Sequence, residues 1–427
     1  MSRKILSAAM IGHTVESYDF VIYGYSAAAL ATLFFPNENR ITALLSAFAV
    51  YGIAFVIRPV GAAIFGSMGD RLGRKNTLAT IVLVMAFSTA AVGLLPTYAS
   101  IGIAAPILLI CCRLGQGISM GAEYTSAASY VMEHAPVRRR GLWMSAVTSA
   151  TFLGSALAAL VLLGLQLASK SAFLEWTWRV PFLLGGAMAL VGLYMRVRLN
   201  ETPEFAALKK SGHVAKTPIR DTFRNWRVFL LLFTVFTLLA LVAQNLLGYL
   251  PTYLTETTGL TSVTVLISSS IALLFCAGLV VCAALVADRF GRRPVLVTGL
   301  SFALVTTIPA YLIVGVGTLA TTVAALALLV VPVALVGISG TVIAVEMVQS
   351  HIRSTSTALS YNLAYAIFGG TAPFVGVLLT EHLGKLGPPS YITVFAALAL
   401  VIVVIALPET RAHTEDEFVG RTVSEPV

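Results

Sequence analysis

Charge is scarce in this chain of 427 residues: Asp, Glu, Lys and Arg make up 11% of it, where a soluble domain carries about 25%. The length would allow two or three soluble domains, and this composition excludes them. Cysteine is nearly absent. Cys111, Cys112, Cys276 and Cys282 all sit in apolar runs, and adjacent Cys111 and Cys112 cannot turn to one metal from one helix side. They read as small core residues. The six His are scattered without metal-ligand spacing. There is no phosphate-binding glycine loop and no nucleotide domain, which argues against an ATP-driven pump. No catalytic constellation survives inspection, so the chain reads as no enzyme.

What fills the chain is apolar. Hydrophobic residues are 58% of the sequence and the mean hydropathy is +0.89. A span of about 20 apolar residues crosses roughly 30 Å of hydrocarbon. Runs of that kind, ended by Pro, Gly and charge, predict helices over 8–34, 43–66, 76–96, 102–128, 142–167 and 178–197. A second set follows over 226–253, 262–286, 294–316, 319–346, 356–381 and 389–407. The start, Arg3-Lys4 before an apolar run, is like a signal peptide. Glu16 and Asp19 interrupt that run and it continues to Phe35, so it reads as an uncleaved first span.

Positive side chains set the orientation. With Met1 inside, only Arg40, Lys170 and Lys385 fall outside, and Arg58, Arg113 and Arg179 fall within spans or at their ends. All the rest of the 28 Lys and Arg lie inside. Both termini are therefore expected in the cytoplasm. The net charge of +9 is mostly this bias, and gives no case for nucleic acid. The expected organisation is a six-helix half (1–197), a polar cytoplasmic linker (198–227), a second six-helix half (228–408) and a short acidic tail (409–427) that reads as disordered.

The two halves echo each other. Gly66-Ser67-Met68-Gly69-Asp70-Arg71-Leu72-Gly73-Arg74-Lys75 follows the second span, and Ala284-Leu285-Val286-Ala287-Asp288-Arg289-Phe290-Gly291-Arg292-Arg293 follows the eighth. Glu133 with Arg140 and Glu346 with Arg353 repeat one spacing. Glu201-Thr202-Pro203 follows span six and Pro408-Glu409-Thr410 follows span twelve. Duplicated halves of membrane helices are the architecture of secondary transporters.

With these hairpins the chain resembles the major facilitator superfamily. Narrower motifs resemble its metabolite:proton symporter family, relatives of the sugar porters. They are Glu16-Ser17-Tyr18-Asp19-Phe20 through Tyr23-Gly24, Arg58-Pro59 with Gly61, Arg113 through Gln116-Gly117 to Glu123-Tyr124, Tyr249 through Pro251 to Tyr253, and Tyr361-Asn362 through Phe368 to Pro373. The fold class implied is an all-α integral membrane protein of twelve transmembrane helices in two pseudo-symmetric halves. Ser17 stands where relatives often have Trp, and Ala122 where a second Gly is common.

An ionised side chain at bilayer depth costs several kcal/mol, so it normally has a partner and a role. His13, Glu16, Asp19 and Tyr23 follow steps of three and four in span one, which places them on one face. Arg113, Gln116, Met120, Glu123 and Tyr124 do the same in span four. Asp19 and Arg113 are at matching depth. Desolvation disfavours the carboxylate's charge and a guanidinium favours it, so a modest rearrangement decides whether a proton binds. The resemblance to sugar-porter symporters, which place an Asp in span one and an Arg in span four, favours that role, with Glu16 as the competing proton site. His13, near this acidic face, is a lesser candidate for the proton path.

Arg58 is placed to bind a substrate carboxylate, or else to pair with Glu16 or Glu123. Tyr23, Gln116 and Tyr124 are further cargo candidates. Gln244, Asn245 and Tyr249 gain weight because spans one, four, seven and ten line the cavity in this superfamily; Tyr361 and Asn362 are even with plain inter-helix bonding. Asp70, Arg71, Arg74, Glu133 and Arg140 are expected to form a cytoplasmic gate cluster, mirrored by Asp288, Arg289, Arg292, Glu346 and Arg353. Glu123 reads as a gate or relay element. These features together predict a proton-coupled symporter, working as a monomer in the bacterial cytoplasmic membrane and importing a small polar metabolite by alternating access. The proton is its coupling ion, with no other cofactor and no partner but cargo and lipid. Arg58 and Arg113 tilt the cargo toward an organic acid anion. A betaine or amino acid zwitterion and proton-coupled efflux are the alternatives, and a transport-dead nutrient sensor is the least favoured.

Overall fold

The computed structural model describes residues 2–72, 74–136, 139–169, 173–197, 224–348 and 353–411. Most of the expected linker and tail therefore lies outside the described residues. So do the side chains of Asp70, Arg71, Arg74, Glu123, Tyr124, Glu133 and Arg353.

The described chain is helical, with no strand among those residues. The first six spans are α1 (Ser2–Phe34), α2 (Arg40–Val56) running through Ile57 into α3 (Arg58–Leu72), α4 (Arg74–Leu94), α6 (Ala104–His134), α7 (Arg140–Ser169) and α8 (Val180–Val197), with a short α5 (Tyr98–Ile101) before α6. The second six are α9 (Trp226–Gln244) continued by α10 (Leu250–Glu256), α11 (Ser262–Phe290), α12 (Arg292–Val314), α13 (Leu319–Met347), α14 (Arg353–Ala364) continued by α15 (Ala372–Leu383), and α16 (Gly387–Ala406). Ten of these spans are long and apolar enough to cross a membrane on composition alone. The other two are α1, which carries Glu16 and Asp19, and α4, whose apolar part is Ala79–Leu94. Phe87 is 78% and Ile405 80% exposed. Side chains so apolar on the outer surface are what a hydrocarbon solvent requires.

Two spans are irregular where they face the centre. A π-turn over Asn245–Tyr249 joins α9 to α10, and another over Tyr365–Gly369 joins α14 to α15. Each precedes a proline, Pro251 or Pro373. Proline has no N–H for the carbonyl four residues back, so the ladder loosens there. The Leu247 carbonyl lies only 3.0 Å from where a Cβ on Gly24 would stand, so the glycine lets span seven approach span one. Spans two and four touch more closely still: a Cβ on Gly121 would lie 2.0 Å from the Arg58 carbonyl oxygen. Such small-residue contacts are how membrane helices pack without a hydrophobic drive between them.

Contacts between the first six spans and the last six bracket the centre at both ends. At the end remote from the N terminus, Arg40 grips Glu256 with two bonds of 2.7 and 3.2 Å. At the other end Asp288 of α11 meets the first turn of α7, and Asn362 Nδ2 donates to the Gly121 carbonyl at 3.0 Å.

Candidate functional site

Between these contacts lies a cavity of about 90 Å³. Span one contributes His13, Glu16, Ser17 and Phe20; span two Arg58; span four Met120; span five Thr148, Thr151 and Phe152. Spans seven, ten and eleven add Gln244, Thr341, Tyr361 and Tyr365 with apolar neighbours. Of the residues expected to meet cargo or protons, His13, Glu16, Arg58, Gln244 and Tyr361 line it.

Arg58 is a buried cation, 5% exposed. Its Cζ lies 4.1 Å from the Phe55 ring centre, 5.2 Å from Phe20 and 6.0 Å from Tyr365. Nη2 donates to the Met120 sulfur at 3.6 Å, and Nε has no partner. Aromatic faces and a thioether hold the guanidinium by its π-surface, but no carboxylate pairs with it among the described residues. Glu16, the acid of the same cavity, bonds His13 Nδ1 at 3.0 Å instead. A cation and an anion therefore share one cavity without joining each other.

Asp19 faces elsewhere. Its Oδ2 accepts the Thr89 hydroxyl of α4 and Gln116 Nε2 at 3.3 Å, while Oδ1 has no partner. A Cβ on Gly185 of α8 would stand 3.2 Å from that Oδ1, so Asp19 points between α4 and α8. The expected single face of span one is thus corrected. An α-helix turns about 100° per residue, so each three-residue step falls about 60° short of a turn. His13, Glu16 and Phe20 keep to the cavity, whereas Asp19 and Tyr23 have drifted off it.

Nor do Asp19 and Arg113 touch as an ion pair. Gln116 stands between them: Arg113 Nη1 donates to Gln116 Oε1 at 2.8 Å, and Gln116 Nε2 donates to Thr89 Oγ1 at 2.8 Å as well as to Asp19. Arg113 is fully buried, its Cζ 4.2 Å from the Tyr23 ring centre and 5.5 Å from Tyr51, and its Nε and Nη2 are without partners. Phe20 lies 5.2 Å from both guanidinium carbons, and its ring adjoins the cavity on one side and this network on the other. Arg113, counted with Arg58 toward an anionic cargo, is thus not a cavity group.

Several other candidates hold helices together. Tyr23 donates to the Ala47 carbonyl at 3.0 Å, Asn245 accepts from Tyr311 at 2.6 Å, Tyr249 bonds Thr380, and Asn362 bonds Gly121. Gln244 does both, accepting from Tyr51 at 2.6 Å while lining the cavity. Sequence reasoning missed Thr89, Thr148 and Thr151. Thr148 and Thr151, three apart in an apolar helix, were a usable sign; Thr89 gave none.

The described gate residues sit at the end bearing the Arg-rich hairpin. Asp288 crosses between the halves to accept from the Gly141 and Leu142 amides, at 3.0 and 2.9 Å. These are free donors in the first turn of α7, where a negative charge is favoured. Arg292, 2% exposed, bonds Asp288 at 3.0 Å and Glu346 at 3.3 Å. Glu346 also accepts from Thr410, and Glu409 accepts from the Arg292 and Arg293 amides. Arg289 stays exposed over Phe290. Arg140 opens α7, its Nε without a partner.

Asp288→Asn is therefore expected to loosen this end. Hydrogen bonds to charged groups contribute about 1.5–3 kcal/mol, so losing the charge shifts the closed-to-open ratio roughly tenfold or more. A cysteine at Thr148, in a background without the four native thiols, would read this by its labelling rate from that side. Unchanged labelling reduces Asp288 to a helix cap.

Twelve spans around a cavity that holds charged side chains among apolar and aromatic ones, with the two halves bonded across both ends, define a membrane carrier. Residues 9–373 match the family described as Major Facilitator Superfamily, and the chain belongs to it. The proline/betaine transporter of Salmonella typhimurium is 33% identical over 420 residues, covering 96% of this chain and 84% of the relative. The inner membrane metabolite transport protein YhjE of Escherichia coli is 34% identical over 430 residues, covering 96% and 94%. The partially occluded, inward-open xylose transporter XylE of E. coli superposes with a TM-score of 0.77 over 97% of this chain and 99% of its own, at 19% identity. That last likeness is one of fold.

Proposed function

We propose that this carrier is a proton-coupled symporter of a small zwitterion, such as a betaine or a proline-like amino acid, working by alternating access. The observation that carries this reading is the separated charge pair of the cavity. Arg58 offers a cation to a carboxylate, and Glu16 offers an anion to an ammonium. The rings of Phe20, Tyr361 and Tyr365 in the same wall suit an alkylated ammonium, which aromatic faces attract. The names of relatives such as the Salmonella protein support the same cargo class and favour it over the organic acid anion. Alternating access draws support from the bonds at both ends, one set of which must open at a time.

The proton is the coupling ion in this reading, with no other cofactor. The monomer sits in the bacterial cytoplasmic membrane, both termini and the 198–227 linker on the cytoplasmic side, as the distribution of Arg and Lys favours. Uptake into proteoliposomes tests it. An inward proton gradient should drive accumulation of labelled glycine betaine or proline, and collapsing the gradient should abolish it. Accumulation of only organic acids, or efflux driven by the same gradient, would overturn the zwitterion symport reading.

A further inference from the structure

Three polar side chains of the cavity form a continuous row. Glu16 Oε2 lies 3.0 Å from His13 Nδ1, and His13 Nε2 lies 2.8 Å from Thr151 Oγ1 on α7. An ionised carboxylate only accepts, so Nδ1 holds the hydrogen that points to Glu16. Nε2 then accepts the Thr151 hydroxyl proton when the ring is neutral, or donates to the same oxygen when the ring is charged. A hydroxyl rotates to serve either arrangement. The row takes one added proton with no heavy atom displaced and no hydrogen bond lost. Imidazole is the side chain suited to change charge at physiological pH.

Among the described residues that line the cavity, two charged ones share it with this imidazole. Its own helix brings Glu16, and α3 brings Arg58 across the cavity. The facing residues of α7 are Thr148, Thr151 and Phe152; span seven adds Gln244, α13 adds Thr341, and span eleven the phenols Tyr361 and Tyr365. Asp19, although on α1, is turned to α4. Glu16 and Arg58 are therefore the charged side chains that line this cavity with His13 among the described residues.

We propose that His13 sets the charge class of cargo this cavity accepts. With a neutral ring, the charges of Glu16 and Arg58 cancel in sum but stay apart, which fits a zwitterion. With a protonated ring, Glu16 is matched by its own neighbour and the cavity carries one net positive charge. The ammonium of a zwitterion then loses its partner, and a monoanionic carboxylate becomes the better ligand of Arg58 and His13. The inference rests on the cavity being the cargo site. It adds a pH-selected second ligand class to that reading.

Equilibrium binding to the purified protein, with no pH gradient to drive transport, tests it. Labelled glycine betaine and labelled benzoate serve as zwitterion and anion, since both keep their own charge between about pH 5.5 and 8. The betaine-to-benzoate affinity ratio should fall about tenfold or more from pH 8 to pH 5.5. His13→Asn and His13→Gln should each make the ratio independent of pH. Each variant is judged by its own ratio, so partial loss of folded protein cancels. A constant ratio in the native protein, or a fall that persists in both His13 variants, overturns the proposal. Betaine binding at no pH would instead overturn the cargo reading beneath it.

Discussion

Asp19→Asn is expected to leave a folded carrier that exchanges cargo across the membrane but no longer accumulates it. The side-chain oxygen of Asn can still accept from Thr89 and Gln116, as Asp19 Oδ2 does. Its amide replaces Oδ1, which has no partner, so the fold loses no bond. What goes is the ability to take up and lose a proton. A carboxylate at bilayer depth without an ion-pair partner is costly as an anion; a proton removes that cost, and a guanidinium drawn close would drive the proton off again. Gln116 is bonded to both Arg113 and Asp19, so a proton switch between the two would have to act through it.

The expected effect is large because a carrier whose coupled proton sits on Asp19 would lose coupling entirely without it. One pH unit corresponds to about 1.36 kcal/mol per proton, so a single coupled proton supports about tenfold accumulation. In Asp19→Asn the ratio should drop to about one, while counterflow of labelled cargo persists. Glu16→Gln is the comparison, since Glu16 is the carboxylate that lines the cavity. Should Asp19→Asn still accumulate cargo with pH while Glu16→Gln does not, the coupled proton belongs to Glu16.

How much of this was legible beforehand depends on whether the information was local. Span limits follow from hydropathy, and the expected 142–167 and 319–346 meet observed helices at Arg140–Ser169 and Leu319–Met347. The depth of Asp19 and Arg113 is equally local, because rise per residue fixes it. Azimuth is less forgiving. Steps of three drift around the helix, so Asp19 left the face that Glu16 keeps. Partners from distant spans were not legible at all: nothing around Thr89 or Thr151 announces that one meets Asp19 and the other His13. The π-turns were half visible, as Pro251 and Pro373 mark loosened ladders without saying that they recover with a five-residue loop. For Asn245, Tyr249 and Asn362 the plainer alternative, bonding between helices, describes where their side chains go.

Arg58→Gln should weaken zwitterion binding about tenfold to 100-fold, the range set by one lost charged hydrogen bond of about 1.5–3 kcal/mol. Arg58→Lys should fall between, keeping the charge but losing the planar fork and the stacking over Phe55. A static structural role would also harm binding, so a second readout is needed. It comes from the empty protein. Arg58 is buried among Phe20, Phe55, Tyr365 and Met120 with no described carboxylate beside it. A buried cation that meets rings and a thioether but no carboxylate among the described residues costs stability, which its removal is expected to restore. Arg58→Gln should therefore melt at a higher temperature than the native protein without cargo, and gain less from added betaine, because ligand stabilisation follows affinity. An Arg58 that braces the helices predicts the reverse: a lower melting temperature without cargo and an unchanged increment with it. Opposite signs on one melting curve separate a residue kept for its cargo from one kept for the fold.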